Sequence, residues 1–600
     1  MLISGPEKLN AFREEWDGEA ILDLLKREDG RLSIDWPVGV GKSYNIDSVI
    51  EATVESGRYD LVIALFPTRR IIDERRWVQN PPDNAQIVNL KPRPSERCSS
   101  DFNRRWWKFE KNAMGVLGRS VLCGRCPSRF RCSWQVQYGK SLKGAQIIFG
   151  AQAHLERSPY FIDRLIQWSE SERPLVIVDE ANFIMKTFQR CIEIKKLKMF
   201  VDVLSKMGSG RWGGFHEEWT FICDLLLKAP TNDLRSSDWR IPWFQSGWAL
   251  AVQSKGYDMY GDAFYFPAFD LMHFCRSMLE SRERAANGNI LFAIAPAITA
   301  DLLIYSGTSY QQFSEYRLGK DLSTPFKDYR FQHPETVWYN IASRLGMKQH
   351  FINNSTQLLD FFAALIVKRL QEGRRPLLIA KKAFCAFIAQ EMEGRLGNMG
   401  FDVQIVYEDW LADQMNDQKV LPLINYGMIG TNLFQEFDCA YCLTSYYVNE
   451  EAVNGILQDV LGSDMGIPLK ISCEGRPLRR QVGALHPKDR DYDVHGLSQY
   501  ALDHLEMGVV LQAVGRVRPY TKPREIVIFQ CASHPDFPYT KEFISIGEAR
   551  EFFGINGRRT VKKADLIVRV QDAKSKGMRQ KEAAEYLGVS LRTIQRYWNS

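Results

Sequence analysis

The sequence predicts an α/β protein built on two parallel-sheet domains, and three observations support this fold class. A short strand, a glycine-rich loop and a helix with apolar spacing follow one another over residues 31–56. An apolar strand, PLVIV, ends at residue 178 and is followed by two acidic residues. Apolar runs within 374–384 and 524–530 predict strands of a second sheet. Strands that alternate with helices over such a length indicate parallel sheets.

Length and composition are those of a large globular protein. The chain has 600 residues, of which 45% are hydrophobic and 25% charged, so several domains of ~150 residues are expected. A net charge of +6 permits a polyanionic partner without demanding one. The first residues lack the pattern of a secretory signal, and the longest apolar run, 290–305, is too short for a membrane span and contains Pro296 and Asp301. We therefore expect a soluble, cytoplasmic protein with no membrane partner.

A phosphate-binding loop is predicted at WPVGVGKS, residues 36–43. This stretch nearly matches G-x-x-x-x-G-K-[ST], but Trp36 stands where the pattern has its first glycine. Backbone N–H groups of the loop and of the helix N-terminus would hold the phosphates of ATP. Lys42 would reach the β- and γ-phosphates, and Ser43 would bind Mg²⁺. The alternative is an ordinary turn with a surface lysine. The predicted nucleotide-binding residues are Pro37, Val38, Gly39, Val40, Gly41, Lys42 and Ser43.

The acidic pair after the strand PLVIV predicts the catalytic carboxylates. Asp179 at the end of the strand would hold Mg²⁺, directly or through water, and Glu180 would orient and deprotonate the attacking water. A buried strand that ends in surface acids is common by itself. The loop and the acids in this order favour an ATP-hydrolysing site.

The loop resembles that of the XPD/DinG family of superfamily 2 DNA helicases, whose form is A/M-P-x-G-x-G-K-[ST]; Trp36-Pro37 fits it with a bulkier first residue. Four further blocks resemble motifs Ia, III, V and VI of that family, in the same order: VIALFPTRRIIDE (62–74), LLIYSGTSYQQF (302–313), INYGMIGTNLFQEFD (424–438) and LQAVGRVRPY (511–520).

The resemblance implies two RecA-like domains that face one ATP. It further implies DNA contacts from Thr68 and Arg69 of motif Ia and from Thr431 and Asn432 of motif V. In motif VI it implies catalytic roles for Gln512 and for Arg516, the candidate arginine finger. The second arginine, Arg518, stands one place earlier than in the family pattern, so its role is open.

Four cysteines form a cluster of their own in the sequence, with the spacing C-x24-C-x2-C-x5-C: Cys98, Cys123, Cys126 and Cys132. Four thiolates suit Zn²⁺ or an iron–sulfur cluster equally, and the residues alone do not decide between them. The resemblance implies a [4Fe–4S] cluster, because the family carries one between the same two motifs. Four unligated thiols are the remaining alternative. A second pair, Cys439 and Cys442, lies in a strand-like run and is interpreted as buried thiols.

The same insert combines aromatic rings with cations, a combination suited to single-stranded nucleic acid. The candidate DNA-binding residues here are Arg104, Arg105, Trp106 and Trp107. A tryptophan pair in a small domain also serves packing, and we expect one ring to be buried and the other to lie near DNA.

The C-terminal stretch GMRQKEAAEYLGVSLRTIQRYW (577–598) predicts a helix, a turn around Gly588-Val589 and a second helix capped by Ser590. This is the pattern of a helix-turn-helix. Its second helix offers Arg592, Thr593, Gln595 and Arg596 to phosphates or base edges. A protein-docking helical hairpin is the alternative. Either would recruit the protein, to a specific DNA site as in a mobile element or to a protein partner.

Seven segments are predicted. By family analogy, the segment between the acidic pair and motif III is a helical Arch-like insert. The segments are 1–92, first part of RecA-like domain 1; 93–143, four-Cys insert; 144–182, second part of domain 1; 183–285, helical insert; 286–335, last part of domain 1; 336–554, RecA-like domain 2; and 555–600, basic linker and helix-turn-helix.

The expected function is that of an ATP-dependent iron–sulfur DNA helicase that loads on single strands and unwinds forked or duplex DNA; the resemblance implies movement 5′→3′. One alternative is a translocase or remodeller without processive unwinding, which includes a CRISPR-associated DinG-like role. Another is a DNA-binding initiator or regulator with a degenerate ATPase.

Overall fold

The structure is a computed structural model, and it describes residues 1–82, 85–139, 141–180, 186–207, 214–236, 239, 262–296, 298–307, 313, 317–318, 321–407, 414, 417–428, 433–461, 469–484, 496–531, 537–555 and 558–598.

The described strands are, in chain order, β1 Leu2–Ser4, β2 Arg31–Asp35, β3 Leu61–Phe66, β4 Ile87–Asn89, β5 Ile147–Ala151, β6 Pro174–Asp179, β7 Phe188–Ile192, β8 Glu283–Arg284, β9 Ile290–Ile294, β10 Asp301–Ser306, β11 Arg330–Gln332, β12 Val337–Ile341, β13 Pro376–Ala380, β14 Gln404–Val406, β15 Val420–Asn425, β16 Cys439–Cys442, β17 Leu469–Glu474, β18 Arg479–Ala484, β19 Glu525–Ile528 and β20 Lys541–Phe543.

The described α-helices are, in chain order, α1 Pro6–Glu15, α2 Gly18–Arg27, α3 Lys42–Ser56, α4 Arg69–Asp73, α5 Arg76–Gln79, α6 Ser100–Lys111, α7 Gly115–Val121, α8 Ser133–Val136, α9 Ala153–Arg157, α10 Phe161–Ser169, α11 Ile194–Met207, α12 Gly214–Lys228, α13 Thr231–Leu234, α14 Asp262–Cys275, α15 Lys348–Gln371, α16 Cys385–Gly397, α17 Glu450–Leu461, α18 Leu497–Asp503, α19 Val509–Val514, α20 Ile546–Phe552, α21 Arg558–Ser575, α22 Gln580–Leu587 and α23 Leu591–Tyr597.

The first sheet has the strand order β2-β10-β6-β3-β5-β4, and all of these pairs are parallel. Its central strands, β3 and β6, are apolar along nearly their whole length because helices cover both faces of the sheet. Tyr305 of β10 pairs with Asp179 of β6. The phosphate-loop strand and the acidic strand are therefore separated by one strand, and their carboxyl ends meet at one edge.

The second sheet is also parallel, with the order β14-β15-β13-β16-β19-β12-β20. Its strand β16 carries Cys439 and Cys442, both fully buried, in agreement with the interpretation of this pair as core thiols. Two parallel sheets with their covering helices confirm the predicted fold class, an α/β protein built on parallel sheets.

The segment between the acidic pair and motif III was predicted as helical, and this is only partly right. Helices α11, α12 and α14 are present, but β7 and β8 lie within the same segment. Both strands pair antiparallel with β9, giving the order β7-β9-β8. β9 lies beyond the predicted end of the insert, and its partners are strands of the insert instead of the first parallel sheet.

The four-Cys insert is built around aromatic side chains. Trp106 and Phe109 of α6 are buried together with Trp134 and Tyr138. The N-terminus of α6 is capped by Ser99, whose hydroxyl accepts from the N–H of Phe102. The insert thus has an apolar core that continues into the core of the first parallel sheet. We call the first parallel sheet with its covering helices the first lobe, and the second parallel sheet with its helices the second lobe.

The C-terminal helices α21, α22 and α23 share a small core of their own, with Val570, Ala573, Ala583, Ala584 and Ile594 buried. α22 ends at Gly588, whose φ of 66° is the left-handed conformation that favours glycine at a helix end. α23 begins after Ser590, whose hydroxyl accepts from the N–H of Thr593. No helix in the described part of the chain is both long and apolar enough to cross a membrane.

Candidate active site

A cavity of about 300 Å³ lies between the two lobes and is lined from both sides. The first lobe contributes the phosphate loop and the acidic pair, and the second contributes the turn after α19. The lining residues with chemical roles in this cleft are Lys42, Ser43, Asp179, Glu180, Gln512, Arg516 and Arg518.

The phosphate loop takes its shape from glycine. Gly39 has φ of 93° and Gly41 has φ of 128°, conformations that side chains rarely adopt, and Gly41 leads directly into α3 at Lys42. Arg13 of α1 supports the loop from behind, because its Nε donates to the carbonyl of Val40 at 2.6 Å and its Nη2 to that of Gly39 at 3.3 Å. The predicted loop thus coincides with a turn whose N–H groups precede a helix N-terminus.

Trp36 is part of the core. Its side chain is 1% exposed, and its ring centre lies 5.1 Å from that of Phe12 and 5.5 Å from that of Phe326. The residue at this position points away from the cavity, so a large ring here does not obstruct the phosphate loop.

Lys42 and Glu180 form an ion pair inside the cavity, with Nζ 2.9 Å from Oε1. The N–H of Gly307, from the motif III block, donates to both carboxylate oxygens of Glu180 at 3.1 and 3.2 Å. A Cβ on residue 307 would lie 2.6 Å from Lys42 Nζ. Only glycine at this position allows the backbone to approach the pair so closely.

Asp179 is buried beside this pair. The pKa of its carboxyl is raised to about 6, chiefly by burial and also by the neighbouring Glu180 carboxylate, while Lys42, Arg75 and Arg516 act in the opposite direction. The strand end is fixed by Gln152, whose Nε2 donates to the carbonyls of Asp179 at 2.5 Å and of Glu180 at 2.8 Å. Glu180 itself has φ of 68°, a strained conformation typical of functional sites.

The second lobe brings two guanidinium groups to the same cavity. Arg516 is half-buried, and its desolvation lowers the pKa of its guanidinium, while the carboxylates of Glu180 and Asp179 counteract this effect. Arg518 Nη1 donates to the carbonyl of Gly39 at 3.4 Å, across the boundary between the lobes. A Cβ on Gly515 would lie 2.7 Å from the Cβ of Val38. The motif VI turn is therefore packed directly against the phosphate loop.

Sequence reasoning missed three residues that support the site: Arg13, Arg75 and Gln152. Arg75 lines the cavity, and its Nη1 donates to the carbonyl of Ser43 at 2.9 Å. Gln152 directly follows β5, and a polar side chain at the carboxyl end of a parallel strand is the one signal that points to it. Arg13 lies on α1 and Arg75 directly precedes α5, and neither has a distinguishing local pattern.

The four clustered cysteines lie in one region of the insert. Cys98, Cys126 and Cys132 line a cavity of about 660 Å³. Burial raises the pKa of the Cys123 thiol to about 12; the Arg93 guanidinium lowers it, and the other three thiols raise it. Among the described residues, no three His, Cys, Asp or Glu side chains are arranged as metal ligands. The donor set, four thiols and cationic neighbours, is chemically suited to an anionic metal–thiolate centre.

The predicted DNA-binding residues fall into four groups. Thr68 precedes α4, and Arg69 donates to the carbonyl of Leu90 at 2.6 Å. Trp106 is 3% exposed and Trp107 is 56% exposed, so the tryptophan pair is divided between core and surface. Arg104 and Arg105 are exposed and both contact Asp101. Thr431 and Asn432 lie outside the described residues.

The fourth group lies on α23. Arg592, Gln595 and Arg596 are exposed there, whereas Thr593 is half-buried and shares a hydrogen bond of 2.8 Å between its hydroxyl and that of Ser590. The exposed face of the helix is thus cationic and polar.

Comparison with known proteins gives distant likenesses in structure. No family model and no curated protein matches the sequence. The chain is similar to a variant of S. cerevisiae Dbp5 bound to RNA and ADP BeF3, at 10% identity and a TM-score of 0.31, over 88% of this chain and 84% of that chain. A DEAD box protein from the hyperthermophile Methanococcus jannaschii has 11% identity and a TM-score of 0.30, over 84% of both chains. The helicase MrfA bound to DNA has 9% identity and a TM-score of 0.34, over 90% of this chain and 51% of that chain. Such values support no statement about family or activity.

Proposed function

We propose that this protein is an ATP-dependent DNA helicase of the XPD/DinG type, which moves 5′→3′ on single-stranded DNA and unwinds duplex. One observation carries the proposal: Lys42 of the first lobe and Arg516 of the second line one cavity together with Asp179 and Glu180. An ammonium and a guanidinium from separate lobes suit a nucleoside triphosphate held between them.

Each residue has a role in this proposal. Lys42 binds the β- and γ-phosphate oxygens, and Glu180, held by the N–H of Gly307, accepts a proton from the attacking water. Arg516 stabilises the charge that develops on the transferred phosphoryl group. Ser43 and Asp179 would hold Mg²⁺, which neutralises phosphate charge when bound. Gln512 and Arg518 line the cavity from the second lobe.

ATP then couples the two lobes. The side chains that surround the triphosphate belong to both lobes. ATP binding therefore favours closure of the two lobes, and ATP hydrolysis allows them to open again. A strand bound across both lobes would be moved by this cycle. The proposed strand contacts are those of the motif Ia loop, of Arg104, Arg105 and Trp107 in the insert, and of the motif V block.

We also propose that the four cysteines hold a [4Fe–4S] cluster, with Zn²⁺ as the less favoured occupant. Three of the thiols, those of Cys98, Cys126 and Cys132, line one cavity, and Cys123 is buried in the same insert. The cluster would supply a rigid cross-link that holds α6 and the Cys-bearing turns together. The C-terminal helices are proposed to bind a DNA site; tight binding of a protein in place of duplex DNA would contradict that role.

The proposal is tested by ATP hydrolysis in the presence and absence of single-stranded DNA. Lys42→Ala is expected to lower kcat about 10²–10³-fold, and Arg516→Ala about 10³–10⁵-fold. Lys26→Ala, a change at an exposed lysine of the same lobe, is the matched control and should leave kcat unchanged.

Strand displacement separates the alternatives. A 5′-tailed duplex should be unwound and a 3′-tailed duplex should not. Hydrolysis without displacement, but with removal of a bound protein, would favour a translocase or remodeller. If neither Lys42→Ala nor Arg516→Ala changed the rate of ATP hydrolysis, the proposed site would be contradicted. If the wild-type protein bound DNA fully but did not hydrolyse ATP, a DNA-binding regulator would be favoured.

A further inference from the structure

A second cavity, of about 220 Å³, lies where the four-Cys insert packs against the first lobe. Its lining comes from α6, α7, α8, α9 and α10 and from the loop after β4. Arg69 of the motif Ia loop and the half-exposed Arg157 also line it. The cavity is separate from the site between the lobes and smaller than the roughly 300–1,000 Å³ of pockets for drug-sized ligands.

Aromatic rings form its walls. Trp106, Trp134, Tyr138 and Trp168 follow one another edge to face, with successive ring centres 5.3, 5.3 and 5.6 Å apart. Phe161 forms a further wall and stacks on His154 at 4.5 Å. Burial lowers the pKa of His154 to about 4, so this side chain adds no charge at neutral pH. The walls are flat and apolar, which favours a flat, uncharged ligand.

Three buried N–H groups of this lining have no hydrogen-bond acceptor among the described residues: Arg119 Nε, Trp134 Nε1 and Arg69 Nη2, the last of which still forms an ion pair with Asp73 at 3.3 Å. Arg119 lies with its guanidinium 4.7 Å from the ring centres of both Tyr138 and Trp168, and its Nη2 donates to the carbonyl of Tyr138 at 3.3 Å. Buried donors without acceptors destabilise a fold, so such groups are expected to have a partner.

The ligand must therefore be flat, small and rich in acceptors. Three further guanidinium groups of the lining are already hydrogen-bonded within the protein: Arg69 to the carbonyl of Leu90, Arg93 to Asn103 and Arg157 to Glu110. A phosphate would therefore lose its hydration against the rings for few new partners. A nucleobase meets all three conditions, because it stacks on aromatic side chains and its carbonyl oxygens or ring nitrogens accept from N–H donors.

We propose that this cavity binds one unpaired base of the single-stranded nucleic acid. The inference rests on the proposed function in one respect, namely that a single strand reaches this protein. Arg104 and Arg105, which are exposed on α6 and precede Trp106 in the sequence, would bind phosphates near the inserted base. The strand would thus be gripped at one fixed position in the insert.

The test uses labelled oligodeoxythymidylate with one abasic site moved along the strand, and fluorescence anisotropy measures its affinity for the full-length protein. One position is expected to lose affinity about 5- to 100-fold, as for loss of one stacked base. Equal losses at every position would overturn the inference while leaving strand binding intact.

Two variants link the effect to the cavity. Ala153→Leu fills it, and Trp168→Leu removes one wall; each should bring the affinity for intact oligothymidylate down to that for the abasic strand. Phe130→Leu, at a ring that is 78% exposed and outside this lining, is the control and should keep the sensitive position. Thermal unfolding checks that each variant is folded, and the abasic-site scan with the wild type decides between the outcomes if neither variant folds. Absence of any single-strand binding by the wild type would instead contradict the proposed function.

Discussion

Trp36 illustrates how one residue departs from a motif without loss of the site it belongs to. In the phosphate-loop pattern the first glycine is followed by the turn that holds the phosphates, and in this chain that turn is formed by Gly39 and Gly41. The indole of Trp36 packs into an aromatic cluster with Phe12 and Phe326 on the other side of the strand. The side chain of Trp36 therefore belongs to the hydrophobic core and not to the nucleotide site.

Replacing Trp36 by the glycine of the motif should therefore destabilise the first lobe. Trp36→Gly removes a fully buried ring and is expected to lower the free energy of unfolding of the first lobe by about 3–5 kcal/mol, as for other buried aromatic truncations. Thermal unfolding measures this, and nucleotide affinity should not improve. Trp36→Phe keeps an aromatic ring and should be less destabilised. Tighter nucleotide binding by a stable Trp36→Gly variant would contradict this account of the loop.

At the scale of elements, the four-Cys insert depends on how its short helices are held together. Its helices α7 and α8 have only 7 and 4 residues, lengths that are marginal without tertiary support. The aromatic core supplies part of that support, and the proposed cluster would supply the rest.

Purification without oxygen should therefore give a brown protein that contains about four iron atoms and four sulfides per chain. Cys126→Ser should lose the colour and the iron, whereas Cys191→Ser, at a strand of the neighbouring insert, should keep both. A colourless wild-type protein that contains zinc would contradict the iron–sulfur assignment and leave a structural metal in its place.

The C-terminal helices are a second element with separable behaviour, because their core is formed by their own residues. Removal of residues 558–600 should leave DNA-stimulated ATP hydrolysis intact and weaken binding to duplex DNA. Replacing Arg592 and Arg596 by alanine should reduce the salt dependence of duplex binding by about one unit per lost phosphate contact. Lys581→Ala, on the preceding helix, is the control. Loss of ATP hydrolysis on truncation would show that these helices support the lobes.

At the scale of the whole molecule, the two lobes meet at a glycine. The close approach of Gly515 to the side chain of Val38 leaves no room for a side chain on residue 515. The carbonyl of Gly39 accepts from Arg13 of the first lobe and from Arg518 of the second. The boundary between the lobes is thus tightly packed around the phosphate loop.

Gly515→Ala should hold the lobes apart by a few tenths of an ångström or more, because protein interiors resist overpacking. We expect kcat to fall strongly while nucleotide affinity falls less, since the first lobe still supplies the loop and Lys42. Gly394→Ala, in a helix where an added Cβ meets nothing within 4 Å, is the matched control. Unchanged kcat in Gly515→Ala would contradict a mechanism that requires lobe closure.

The sequence by itself determined the local parts of this protein. Strand and helix periods, the glycines of the phosphate loop, the acids at the end of β6 and the Ser590 cap are all properties of short stretches, so local patterns predict them. The α/β fold class with two parallel sheets followed from the order of those stretches.

Tertiary structure alone decided how distant residues meet. The Lys42–Glu180 pair joins residues 138 positions apart, and the contact between Arg518 and Gly39 joins residues 479 apart. Arg13, Arg75 and Gln152, the pairing of β9 with the strands of the insert and the cavity between the insert and the first lobe have no local signature either. Each depends on packing between segments that the chain brings together only on folding, because burial and hydrogen bonding are satisfied by neighbours in space.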